Sequence, residues 1–180
     1  KLGLPLEVGN DPFEMTRLQL FARKALTEMV YYLQTHNNLF KNAVLSMIAP
    51  EVGIRTGPRN VGKTVLQKDD VMNCRKAEDA VARGTCPIGF WIPGKRLHLE
   101  YFAKNDHYDI SGRTLQSDTI TNLLFAGRNI SASEEALASA RVIGTCLATG
   151  YAAGHLAAGV INNERYEATI ATVQRSLFFE

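Results

Sequence analysis

Cysteine is scarce in this sequence, and its few cysteines are far apart. The 180 residues include three, Cys74, Cys86 and Cys146, with no CxxC spacing among them. An odd number of widely spaced cysteines does not predict a disulfide framework, a zinc site or an iron–sulfur cluster. We therefore expect reduced thiols, which favour a cytoplasmic location, and no metal site.

An excess of charge of one sign is also lacking. Twenty Lys and Arg face 18 Asp and Glu, so the formal net charge is +2. The basic residues are scattered among the acidic ones, and no basic run is interleaved with aromatic residues. Nucleic acid is therefore not an expected partner. The sequence contains no internal repeat and no low-complexity tract.

Long runs of large apolar residues are missing too, although residues 142–160 carry no charged side chain. Nine of these 19 positions are Gly or Ala, whereas membrane spans draw mainly on Leu, Ile, Val and Phe. The stretch therefore predicts a buried helix of a soluble protein, with very close neighbours, and no membrane partner.

Local patterns predict a mixture of helices and strands without regular alternation. Asp11 and Pro12 are typical of a helix start, and apolar residues at helical spacing continue that helix to residue 34. Further helices are predicted at residues 68–73, 76–83, 135–160 and 163–176. Strands or extended segments are predicted at residues 43–55, 97–102, 108–115 and 122–126.

Residues 122–154 form the most informative unit: a buried strand, Gly127, a short loop, and a helix built largely from small residues. This order places a glycine at the carboxyl end of a strand and a helix N-terminus shortly behind it. Such an arrangement suits a bound group that needs close backbone approach and partial positive charge.

A second glycine motif, residues 57–64, matches GxxxxGK[ST]. It would place Lys63 on the β and γ phosphates of a nucleotide and Thr64 on magnesium. That interpretation requires a strand before Gly57 and a helix that begins at Lys63. Residues 64–66 favour a strand instead, so a P-loop nucleotide-binding protein is kept only as an alternative.

Four stretches resemble a known family when taken in order. They are GIRTGPRNVGKTVLQKDDV at 53–71, DAVARGTCPI at 79–88, NLLFAGRNIS at 122–131 and SARVIGTCLATGYAAGHLAA at 139–158. Together they are similar to bacterial FAD-dependent oxidoreductases, relatives of the glutathione-reductase-like and fumarate-reductase-like flavoproteins. The resemblance covers roughly residues 50 to 160.

The resemblance implies a two-domain FAD-binding fold of the α/β class, with α+β character in this fragment. The family's amino-terminal half carries a βαβ unit with GxGxxG, and no such motif occurs here. The chain also begins at Lys1 without a methionine. We therefore expect a carboxyl-terminal portion whose missing half is a partner chain or lost upstream sequence. The implied division is 1–116 (part of the substrate or cap region), 117–162 (closing strand and helix of the FAD domain) and 163–180 (carboxyl-terminal surface helix).

The implied activity is hydride transfer between FAD and an unknown small-molecule substrate. Gly127 would allow close backbone approach to the flavin, and the dipole of the small-residue helix would stabilise the reduced anion. We place the N-terminal end of that helix near residues 139–142. The implied cofactor-binding residues are Gly127, Arg128, Asn129, Ser131, Ser139, Arg141, Val142 and Gly150.

The acid–base residue is not evident from the sequence. Where the family often shows Asp-x-His after Pro-Ile, this chain has Gly89, Phe90 and Trp91. A cofactor-free binding or assembly module derived from such an enzyme is therefore a further alternative, and a homo-oligomer stays open. The catalytic candidates are Arg55, Arg59, His98 and His107.

Overall fold

The computed structural model describes residues 11–54, 57–91 and 97–178. Contacts along the chain divide it into two compact units, residues 1–57 and 58–180. The described residues form five α-helices and four short β-strands, and the strands pair in antiparallel fashion. The predicted α+β character is thereby confirmed.

The first unit is dominated by one helix, α1, Pro12–His36. The Asp11 carboxylate accepts a hydrogen bond from the Phe13 N–H at 3.1 Å, and Pro12 occupies the first helical turn, where its missing N–H costs nothing. The predicted N-cap is thus confirmed. Leu18 is the one buried residue of this fully described helix.

The strand predicted at residues 43–55 is wrong for its described part, 43–54, which is neither strand nor helix. Side chains of α1 form hydrogen bonds with backbone groups of this segment that a strand would need for pairing. The Gln34 amide donates to the Ala43 carbonyl at 2.8 Å, and the Gln19 side chain accepts from the Val52 N–H at 3.2 Å. An apolar pattern does not form a strand unless a neighbouring strand pairs with it.

The second unit contains two small sheets. Strand β1, Ala80–Gly84, pairs with β4, Tyr108–Ser111. Strand β2, Ile88–Trp91, pairs with β3, Leu97–Glu100. The strand predicted at 97–102 is confirmed at residues 97–100, whereas the helix predicted at 76–83 is wrong. Val81 is completely buried in β1, and pairing with β4 overrides the local helical pattern.

Four helices accompany the sheets: α2, Lys68–Met72; α3, Glu134–Ala140; α4, Ile143–Ile161; and α5, Tyr166–Phe178. The prediction at 68–73 is therefore confirmed, and so is the helix predicted at 163–176, which the structure places at 166–178. The single long helix predicted over 135–160 is wrong, because the backbone leaves the helical region at Val142 (ψ 154°). The break gives α4 its own N-terminus.

The strand predicted at residues 122–126 is also wrong. Leu124 forms an isolated bridge with Gln116, and the Phe125 N–H donates to the Leu115 carbonyl at 2.7 Å. A turn precedes this bridge at 121–122, and a 3₁₀ turn follows it at Gly127–Asn129. Pairing is therefore limited to one residue, although Phe125 is buried as expected.

Helices α4 and α5 pack on β1 and on each other, and α3 packs on β2. At the α4–α5 contact, a side chain on Gly159 would overlap the Thr169 hydroxyl, so close approach requires glycine there. The largest fully buried side chains include Tyr108, Ile110, Leu115, Ile130, Leu137 and Val173. None of the helices in the described ranges has the length and hydropathy needed to cross a membrane.

Candidate functional site

Gly127 adopts a left-handed conformation with φ +61°. Its backbone N–H donates to the Thr149 hydroxyl of α4 at 3.0 Å. Thr149 is completely buried, and its hydroxyl donates in turn to the Thr145 carbonyl at 2.9 Å. This chain of hydrogen bonds fixes the orientation of the Gly127 peptide against α4.

The residues after Gly127 lie at the surface of the second unit. Arg128 and Asn129 are exposed, and the Asn129 carbonyl accepts a hydrogen bond from the Asn60 amide at 3.1 Å. Asn60 follows Arg59, which is exposed as well. The fold therefore brings the segment of Arg59, a catalytic candidate, beside the predicted cofactor-binding turn.

Cys146 lies under the Gly127 turn. A Cβ atom on Gly127 would lie 3.6 Å from the Cys146 sulfur, an ordinary van der Waals contact. Burial raises the pKa of the Cys146 thiol, while the positive charge of Arg128 acts in the opposite direction. The thiol is therefore protonated at neutral pH and serves as apolar packing for the turn.

The N-terminus of α4 has no side-chain cap. Val142, at the N-cap position, is extended and makes no capping hydrogen bond through its side chain, so backbone N–H groups of the first turn point outward without a capping side chain. Ile143 and Leu147 beside it are 80% and 70% exposed. This end of α4 combines partial positive charge with apolar surface.

The exposed face of α4 carries three glycines beside large apolar side chains such as Ile143 and Leu147. A Cβ atom added to Gly144, Gly150 or Gly154 would meet nothing within 4 Å. This glycine stripe is therefore open within the second unit. Gly150, a predicted cofactor-binding residue, lies about two turns along α4 from Val142.

Three predicted cofactor-binding residues lie deeper in the unit. Ser131 is completely buried, and its backbone bonds to Thr114 and Leu66, both at 3.0 Å. Ser139 is also completely buried. The Arg141 guanidinium donates to the Gly89 carbonyl at 3.4 Å. These residues hold the framework together, whereas Gly127, Arg128, Asn129 and Val142 reach the surface.

A link that the sequence did not indicate involves Tyr108. Its hydroxyl lies 2.8 Å from the Ser139 hydroxyl, which donates to the Cys86 carbonyl. This link joins β4, α3 and the turn before β2. No motif covers Tyr108, so only the alternation of buried and half-buried residues in β4 could have suggested its burial.

Burial raises the pKa of Tyr108 to about 12 from an ordinary value of 10. The folded state therefore holds this proton more tightly than the unfolded state, and stability is lost as the pH rises from about 10 towards 12. Between pH 9 and pH 11, we expect the free energy of unfolding to decrease by about 1 kcal/mol less in Tyr108→Phe than in wild type, because the variant has no hydroxyl to ionise. Urea unfolding at both pH values measures this. Tyr101→Phe, at an exposed tyrosine, is the control, and parallel falls in wild type and Tyr108→Phe would contradict the assignment.

The histidine candidates make their polar contacts with carboxylates. His98 on β3 lies 3.7 Å from Glu100, and His107 lies 3.5 Å from Asp109. The contacts of Gly127, by contrast, are with Thr149 and the first turns of α4. Arg55 lies outside the described residues.

The P-loop alternative lacks the helix that it requires. Lys63 and Thr64 lie in a bend, and the next helix begins at Lys68. The Lys63 ammonium donates to the Gln116 side chain at 2.7 Å, and a side chain on Gly62 would lie 2.8 Å from the Gln116 carbonyl. Gly62 is therefore explained by close packing and not by a phosphate cradle.

Comparison with known proteins identifies the family. The chain matches the family model of FAD dependent oxidoreductases over residues 3–177. The protein therefore belongs to that family, whose cofactor is FAD, as the resemblance implied. No curated protein and no solved structure matches the chain.

The residues around Gly127 fit such a cofactor. An uncapped helix N-terminus suits a group that becomes negative, and the exposed apolar side chains Ile143 and Leu147 suit a flat aromatic ring. The left-handed turn leaves backbone on one side uncovered by any side chain of its own.

Proposed function

We propose that the Gly127 turn and the N-terminus of α4 form one half of a flavin site in an enzyme that oxidises or reduces a small molecule. The observation that carries this proposal is the left-handed Gly127 (φ +61°), whose N–H is held by Thr149 at 3.0 Å. The turn is thereby fixed beside an uncapped helix end, and the family membership supports FAD as the group bound there.

Each surface residue of this half-site has a distinct role in the proposal. Gly127 admits close backbone approach, and exposed Arg128 supplies positive charge to the ribityl or phosphate part. The first turn of α4 stabilises negative charge on the pyrimidine edge of the ring. When bound, FAD supplies a two-electron carrier that exchanges hydride with the substrate. Arg59, adjacent to Asn60 at this turn, is the catalytic candidate best placed to orient an anionic substrate.

The other half of the site is proposed to come from a dinucleotide-binding unit. The sequence contains no GxGxxG, which would hold the pyrophosphate. The stripe formed by Gly144, Gly150 and Gly154 is open and would receive that unit, whether it belongs to a partner chain or to further sequence. The division into 1–116, 117–162 and 163–180 remains a prediction.

The test is flavin content in the natural full-length protein, or in this chain purified together with its partner. We expect a yellow protein with about one FAD for each copy of this chain, and much weaker binding by residues 1–180 alone. A complete protein that stays colourless after incubation with FAD would instead support the cofactor-free assembly module.

A milder variant tests the positioning role of Thr149. Thr149→Val keeps the side-chain volume but removes the hydroxyl that accepts the Gly127 N–H, whereas Thr149→Ser retains it. Loss of this bond costs about 1–3 kcal/mol, so we expect FAD dissociation to be about 5- to 150-fold faster in Thr149→Val. Equal release from the valine and serine variants, measured by flavin fluorescence, would show that the hydroxyl does not position the turn.

A further inference from the structure

A cavity of about 450 Å³ lies in the second unit, between the end of β1 and the loop at residues 101–107. It is mostly apolar, with a few polar groups on its wall. Its lining residues include Arg83, Pro87, Tyr101, Phe102, Lys104 and His107. We refer to it as the Arg83 cavity.

Two of its basic side chains are held by the same carboxylate. Asp109 Oδ1 lies 3.9 Å from Arg83 Nε and 3.5 Å from His107 Nε2. The Asp109 side chain is only 9% exposed, and its Oδ1 accepts no conventional hydrogen bond among the described residues. On its other side, the Arg83 guanidinium stacks over the Phe178 ring at 4.0 Å. Arg83 therefore enters the cavity wall in a fixed orientation.

The carboxylates that line or adjoin the Arg83 cavity neutralise only part of the positive charge of its basic side chains. Lys104 is exposed and forms no salt bridge with any residue that the structure describes. Asp106, the carboxylate of the lining, is bound by Lys76 from outside it at 2.7 Å. That hydrogen bond holds the pKa of Asp106 below its ordinary value. An anion that enters thus meets two permanent cations and a carboxylate that already has a partner.

We propose that the Arg83 cavity binds a small organic acid with an apolar or aromatic body. The carboxylate of the ligand lies towards Arg83 and Lys104, where charge-assisted hydrogen bonds form. Its body packs on Tyr101, Phe102 and Pro87, since aromatic and apolar walls with a few polar groups are typical of small-molecule sites. The proposal is independent of the flavin half-site, because it uses none of the residues around Gly127.

Benzoate and its neutral isostere benzamide test the proposal. Isothermal titration of residues 1–180 without added FAD is expected to show benzoate binding, with benzamide at least about tenfold weaker. Lys104→Gln is expected to weaken benzoate about tenfold and to leave benzamide unchanged, because only the charged ligand uses this ammonium.

Arg113→Gln is the matched control. It removes an exposed arginine near the opposite end of the β1–β4 sheet, where Ser111 faces Ala80, and benzoate affinity should stay within about twofold of wild type. Near-ultraviolet circular dichroism verifies that each variant is folded. The absence of benzoate binding, equal affinities for benzoate and benzamide, or an unaffected Lys104→Gln would each overturn the proposal, whatever the protein does with FAD.

Discussion

Replacement of Gly127 by valine is expected to abolish FAD binding in the complete protein. Gly127 has φ +61°, a region that costs a β-branched residue at least about 1–2 kcal/mol. A Cβ atom at this position would contact Cys146 at 3.6 Å, and we expect the two methyl groups of valine to hinder the close approach of the flavin to this backbone. FAD content after gel filtration measures the effect.

Gly127→Asn separates backbone strain from steric hindrance as the cause of FAD loss in that experiment. Asparagine tolerates the left-handed region, so we expect a melting temperature close to that of wild type, but its side chain still covers the backbone. FAD should therefore be lost from a protein of nearly normal stability. If both variants retain FAD, the flavin contacts lie elsewhere in the fold, and the proposed half-site is misplaced.

Replacement of Gly84 by alanine is expected to lower the free energy of unfolding by about 3 kcal/mol. A Cβ atom on Gly84 would overlap the ring of Tyr108, which faces it across the β1–β4 pair. Tyr108 is completely buried, and its hydroxyl is bound to Ser139 at 2.8 Å. The ring must therefore move within a close-packed core, which breaks this hydrogen bond.

Gly150→Ala is the control for that prediction. A Cβ atom at Gly150 meets nothing within 4 Å, and alanine is the better helix former by about 0.5–1 kcal/mol. Chemical denaturation of residues 1–180 should show Gly84→Ala strongly destabilised and Gly150→Ala unchanged or slightly stabilised. Equal stability of the two variants would show that the Gly84–Tyr108 contact does not limit this core.

The close packing at Gly84 shows that the glycines of the family motifs have different roles. Gly84 ends the DAVARG part of the second motif and Gly62 lies in the first, and both positions are explained by close packing. Gly127 belongs to the third motif and is explained by its positive φ at the surface. The order of the motifs was sufficient to identify the family. It did not distinguish Gly62 and Gly84, which are required for close packing, from Gly127, which belongs to the proposed flavin site.

Part of the site could not be predicted from the sequence. Thr149 is one of several small polar residues in a helix of small residues, and only the fold shows that its hydroxyl meets the Gly127 N–H. Ser139 belongs to the same motif as Val142, yet one is completely buried and the other is partly exposed at an N-cap. The helix break between them causes this difference. The residues at the break are Val142 and Ile143, and neither is a glycine or a proline, which would have predicted it.

The sequence by itself determined the family and its cofactor, the start of α1 at Asp11 and the helix at Lys68–Met72. These follow from motif order and from capping, which act over a few neighbouring residues. Only the tertiary structure decided that residues 80–84 form a strand, that residues 122–126 do not, and that α4 begins separately at Ile143. Strand pairing and burial join residues that are distant in the chain, so local patterns do not determine them.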